Sequence, residues 1–302
     1  MLAILGGLGA AFCWATSSMA SARAARVIGS WATLGWVMLI GTAMAIPATI
    51  VAGGGATFDE TAIVLLVVSG ISNVIGLLLA YTAFQRGQVA IVAPILSTEG
   101  ATAAVIAVLF GEQIAIAAAL VLSLVAVGIV LASSGGADEP ASAEPGGLAA
   151  ESEPPREATG HRRSTGPVLP IALAAVACFG INLYATGRLG ATLPIVWSIL
   201  PARLTGAVFV ALPLLATGRL RLTRTALPFV IVVAVAEVVG MAVYAFGARD
   251  GVAIAAVTSS QFGAIAAIGS VVLFGERLRR IQVIGIAIIT VGVAALAAIR
   301  VA

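Results

Sequence analysis

Apolar segments long enough to cross a lipid bilayer recur ten times along this chain, with polar breaks between them, and no other feature narrows the fold as far. A helix needs about 20 apolar residues to span a hydrocarbon core of about 30 Å. The first five segments run approximately over 2–22, 30–52, 61–82, 88–110 and 113–133, and the second five over 168–187, 194–216, 226–246, 252–274 and 280–299. In lipid every backbone N–H and C=O must find its partner within the protein, so continuous runs of this length are helices. A β-barrel would show shorter, alternating segments. Composition agrees: 61% of the 302 residues are hydrophobic and 10% charged, against about 45–50% and about 25% in a soluble domain. Too little interior exists at this length to bury that much apolar surface in water. The expected fold is an all-α membrane protein of ten transmembrane helices.

Several classes fall away on the same grounds. A net charge of +3, with its arginines scattered between apolar runs, leaves no footprint for nucleic acid. Cys13 and Cys178 both lie inside apolar segments, which supports neither a disulfide framework nor a CxxC site. No metal set, cofactor motif or GxxxxGK[ST] phosphate loop is present, so neither a cofactor nor ATP is expected. The first segment lacks the positive n-region of a signal peptide, since Arg23 and Arg26 follow its apolar run, and it is read as a span.

Residues 134–167 are a different polymer, with Pro140, Pro145, Pro154, Pro155, Pro167, many small and acidic residues, and the single histidine, His161. Such a stretch cannot bury enough apolar area to offset its ordering entropy, and a disordered linker is expected. His161 is given no role. The linker separates two five-helix units, 1–133 and 168–302, that resemble each other. Tyr81 to Ile91 reads YTAFQRGQVAI and Tyr244 to Ile254 reads YAFGARDGVAI, with Tyr, Arg and Val-Ala-Ile in register. Each is followed by an apolar span ending in Phe-Gly-Glu, at 110–112 and 274–276; Trp31 with Trp197 and Pro47 with Pro213 also correspond. Five spans per copy is an odd number, so the second copy enters the membrane from the opposite side: an inverted repeat, with a substrate site between the halves.

These residues resemble the drug/metabolite transporter superfamily in its EamA-type ten-helix form. The family pattern falls on Val89 to Glu112 with Pro94 in place, and the second copy on Val252 to Glu276 continues into Gln282 and Gly285. The chain departs from it at Val257, where Pro94 leads one to expect proline, and in lacking Gln-x-x-Gly in the fifth segment. The resemblance covers all but the linker and implies a cavity lined by spans 1, 3, 4, 6, 8 and 9. It also implies cytoplasmic termini, whereas the arginines say otherwise. Loops after the odd-numbered spans carry Arg23, Arg26, Arg86, Arg156, Arg162, Arg163, Arg219, Arg221, Arg224, Arg277, Arg279 and Arg280, twelve in all, against Arg188, Arg249 and Arg300 on the other side. The positive-inside rule then places both termini outside the cytoplasm of a cell-membrane protein, and the charge count is preferred.

An ionisable side chain at membrane depth costs about 2.5–3.5 kcal/mol on insertion scales, which makes each one a candidate site residue. Three lie deep: Glu99, Arg203 and Glu237. Arg203 and Glu237 are placed to pair, as a structural pair or as a reader of substrate charge. Glu99 has no evident cationic partner, and desolvation opposes its charged form, which suits a proton-coupling carboxylate. Asn73, Asn182 and Gln261 are candidate orienting contacts, and Trp14, on one face with Ser17 and Ser18, a candidate aromatic wall. Thr258, Ser259 and Ser260 are expected to hydrogen-bond between helices. Glu112 and Glu276 are expected to cap the helix that follows each. The function expected is a secondary-active permease or exporter of a small organic metabolite or drug-like solute, working by alternating access as a monomer or weak homodimer. The alternatives are a non-transporting membrane scaffold, whose charges only pair, and an intramembrane enzyme, for which no nucleophile–base set is evident.

Overall fold

The computed structural model describes residues 1–52, 54–87, 89–112, 116–133 and 168–274, together with residues 280, 281, 283–285, 287, 288, 291, 292 and 295. The expected linker, Glu276, and most of the expected tenth span lie outside the described residues. Those described form helices and no strand. In the first unit these are α1 (Leu2–Ile28), α2 (Ser30–Ala52), α3 (Glu60–Arg86), α4 (Val89–Leu96), α5 (Glu99–Leu109) and α6 (Ile116–Ser133). The second unit holds α7 (Val168–Thr192), α8 (Val196–Gly206), a π turn (Ala207–Ala211) continuing into α9 (Leu212–Ala216), α10 (Leu227–Ala248), α11 (Val252–Ser259) and α12 (Phe262–Phe274). Eight candidate membrane spans result by length and composition, with α4–α5, α8–α9 and α11–α12 each serving as one broken span.

Local chemistry sets the boundaries. Gly29, at φ 86°, turns the chain between α1 and α2 in a backbone region that favours glycine. Asp59 caps α3, its carboxylate accepting the Ala62 N–H at 2.7 Å. The hydropathy pattern runs unbroken through 88–110 and 252–274, yet both spans break halfway. Pro94 is not the common cause, because Val257 stands at its counterpart. Both breaks carry hydroxyls that bond back into their own helix: Ser97 donates to the Pro94 carbonyl at 2.7 Å and Thr98 to Ile95 at 2.8 Å, while Ser259 and Ser260 donate to Ala256 at 2.9 and 3.0 Å. Side chains that occupy the preceding carbonyls compete with the helical ladder, although Ser72 and Thr82 do the same within unbroken α3. The expected interhelical bonds of Ser259 and Ser260 are thus corrected to bonds within their own helix, whose carbonyls are nearer; Thr258 does both, adding a 3.3 Å bond to the Ala3 carbonyl.

The two units pack into each other in reciprocal fashion. Helix α1 lies along α10 as α3 lies along α7, and α5 meets α11 while α4 meets α12. Small residues permit the approach, as expected where apolar lipid gives helices no hydrophobic reason to associate. A Cβ on Gly6 would sit 2.6 Å from the Gly247 Cα, one on Gly180 2.5 Å from Thr102 Cγ2, and one on Gly263 2.5 Å from the Ser97 Oγ.

Candidate functional site

Between the units lies a cavity lined from α1, α3, α4, α5, α7, α10 and α12, which are segments of the first, third, fourth, sixth, eighth and ninth spans. It leaves about 50 Å³ open to the centres of water molecules. One water occupies about 10–15 Å³ on that measure, so a few waters fit and an organic solute needs the walls to part. The lining lies in the part of α1 (residues 14–21) and of α3 (residues 73–84) nearer their Arg26 and Arg86 ends. At the opposite ends the units are bridged. The Glu112 carboxylate accepts the Ala253 N–H at 3.2 Å, and Phe110 stacks on Tyr184 at 5.2 Å between centroids. Glu112 therefore caps α11 in the other unit. Glu112 is expected to cap the next helix in sequence, but residues 113–115, which precede that helix, lie outside the described residues; the bond seen is to the start of α11, where a free backbone donor is presented.

Of the candidates read from sequence, Trp14, Asn73, Glu99, Asn182 and Glu237 line this cavity. Arg203 does not. It is fully buried behind Glu237, with Nη2 3.7 Å from Glu237 Oε2 and Nη1 3.9 Å from the Met38 sulfur. Its Nε and Nη2 have no hydrogen-bond partner. Gln261 is buried at the break between α11 and α12 and turns toward the Val257 carbonyl of its own span. Sequence reasoning missed Leu77, Tyr81 and Phe84 on α3, and Phe179 and Phe262, all of which face the cavity. Leu77 and Tyr81 follow Asn73 at steps of four, a helical register that would have placed them beside it.

The polar groups are arranged in an ordered chain. Asn182 Nδ2 donates to the Ser69 carbonyl at 3.0 Å and to its hydroxyl at 3.1 Å. A backbone carbonyl only accepts, so the Asn182 amide group has one orientation, and its Oδ1 accepts Asn73 Nδ2 at 3.3 Å. Asn73 Oδ1 is then left over, buried and without a partner. Ser17 donates to Glu237 Oε1 at 2.7 Å. Glu99 opens α5 at the break, 5% exposed, where the helix N-terminus favours a carboxylate. Its carboxylate makes no hydrogen bond to any described residue. Trp14 walls one side, 5.8 Å from Tyr244 and edge-on to Phe262 at 6.5 Å. The site thus offers acceptor oxygens, the unpartnered Tyr81 hydroxyl and aromatic rings around one cavity.

Comparison with known proteins bears on the fold and on the family. A crystal structure of another protein shares the fold, with a TM-score of 0.69 at 15% sequence identity over 98% of this chain and 96% of that one. No curated protein matches the chain by sequence. Residues 1–134 match the EamA-like transporter family. The chain is thus a multi-pass membrane protein whose residues 1–134 are similar to the EamA-like transporter family.

Proposed function

We propose that the chain is a secondary-active permease, built as two inverted five-helix repeats, which moves a small organic solute through the cavity between them. The observation that carries this reading is the unmet polar capacity facing that cavity: Asn73 Oδ1 and the Glu99 carboxylate lie deep between the units without a partner among the described residues. A group that merely held helices together would be satisfied by another helix, whereas a group awaiting a solute is not. Reciprocal packing supports the inverted repeat, and so do paired breaks at equivalent points of the fourth and ninth spans, since discontinuous helices are a recurring device of such transporters.

In this scheme Glu99 carries the proton that couples transport, while Asn73, Asn182, Glu237 and Trp14 orient the solute. Arg203 acts through Glu237, and Gln261 shapes the break that lets α11 and α12 move apart. The linker at 134–167 joins the repeats, and the arginine-rich face, toward which the cavity lies, is cytoplasmic. The state seen is then closed to the outside by the Glu112 and Phe110 contacts.

The test is uptake into proteoliposomes across amines, amino acids, nucleosides and drug-like solutes, with and without a pH gradient. Glu99→Gln and Arg203→Ala abolish gradient-driven uptake while insertion survives. Normal transport by both variants would remove the site from this assignment, and a C-terminal reporter on the cytoplasmic side would reverse the orientation.

A further inference from the structure

The same cavity specifies the chemistry of its occupant, an inference that rests on the permease reading above. Its two carboxylates are Glu99 and Glu237, and no cationic side chain lines it among the described residues. Arg203 is held behind Glu237 and offsets that carboxylate alone. The hydrogen-bonding capacity left open accepts: besides the Tyr81 hydroxyl, which lines the cavity without a partner and can accept as well as donate, it consists of acceptors. The Ser69 carbonyl fixes Asn182, Asn182 fixes Asn73, and the oxygen that remains, Asn73 Oδ1, can only accept. Glu99 adds two further acceptor oxygens. Trp14 and Phe262 also line the cavity, edge-on to each other at 6.5 Å, and aromatic rings attract a cation or pack an apolar body.

We propose that the cavity binds a primary ammonium carried on an aryl or alkyl body. The N–H donors satisfy Asn73 Oδ1 and Glu99, the positive charge meets the one carboxylate that has no counter-charge, and the body lies along the aromatic wall. A carboxylate-bearing solute finds no free donor cation, because reaching Arg203 means displacing Glu237. A quaternary ammonium keeps the charge but has no N–H for Asn73, and it binds more weakly than the primary amine for that reason.

The test is equilibrium binding to the full chain in lipid nanodiscs, read by calorimetry at neutral pH, with four probes that share a phenyl ring and a short alkyl arm: phenethylamine, phenethyltrimethylammonium, phenylalanine and 3-phenylpropionate. The expected order places phenethylamine first, the quaternary probe several-fold weaker, and the zwitterion and anion at least tenfold weaker than phenethylamine. Glu99→Gln lowers phenethylamine affinity at least tenfold. Tightest binding by phenylalanine or phenylpropionate, equal binding of all four, or no binding of any overturns the proposal. The probe ranking needs no variant, so it decides the matter even where Glu99→Gln fails to insert. Binding is read without transport: the expected ranking in a chain that moves no solute would sink the permease reading and leave the recognition intact.

Discussion

Replacing Arg203 by Met separates the energetics of the buried pair from its role in transport. In the native protein the pair is imperfect: the 3.7 Å separation from Glu237 exceeds the roughly 3.2 Å of a direct hydrogen bond, and two of the guanidinium nitrogens have no hydrogen-bond partner. A buried ion pair in such geometry is worth little more than apolar side chains of the same size. Removing one partner is a different matter, since Glu237 then keeps only the Ser17 hydroxyl at 2.7 Å. Losing half of a buried pair costs about 3–5 kcal/mol. The lower end, about 3 kcal/mol, applies because Ser17 remains and the Glu237 side chain still touches the cavity at 8% exposure. That corresponds to a fall in melting temperature of roughly 5 °C for a chain of 302 residues. Melting of the purified protein in detergent should show this drop for Arg203→Met and a comparable one for Glu237→Met. The double variant should return to within about 1 kcal/mol of the parent, because it leaves no orphaned charge. A double variant destabilised by the sum of the singles would refute the reasoning.

Two further substitutions probe the contact between the units. Gly6→Val places carbon against the Gly247 Cα and the Val243 carbonyl, both backbone atoms that cannot swing aside; it should cost upwards of about 2 kcal/mol and spread the size-exclusion peak, while Gly54→Ala, with open space around it, should be silent. Glu112→Ala removes the cap on α11 and should cost about 1 kcal/mol, with faster amide exchange at Ala253 than at Val230; unchanged exchange at Ala253 would mean that the cap contributes nothing.

Polar residues made part of this site legible before any coordinates. Glu99, Asn73 and Glu237 declare themselves because lipid tolerates so few such side chains, and the pairing of Arg203 with Glu237 follows from their depth in adjacent spans. Of the aromatic lining, Trp14 was legible and Tyr81 within reach of the register from Asn73, but Phe84 and Phe262 look the same whether they face lipid, core or cavity. The broken spans escaped because hydropathy averages over the single polar residues at each break, such as Ser97 and Ser260. The partner of Glu112 escaped for another reason: Ala253 is 141 residues away, and no local pattern reports which helix end a carboxylate will meet.

Thiol labelling decides whether a water-filled polar seam lies between the units. With Cys13 and Cys178 replaced by Ala, single Ser21→Cys and Ile71→Cys variants place a thiol on the cavity wall and on the exposed outer face of α3, respectively. A charged, membrane-impermeant maleimide should label position 21, from the arginine-rich side alone, and leave position 71 untouched in lipid. Labelling at position 71 with none at position 21 would mean that the seam is dry and that these polar groups serve packing instead of passage.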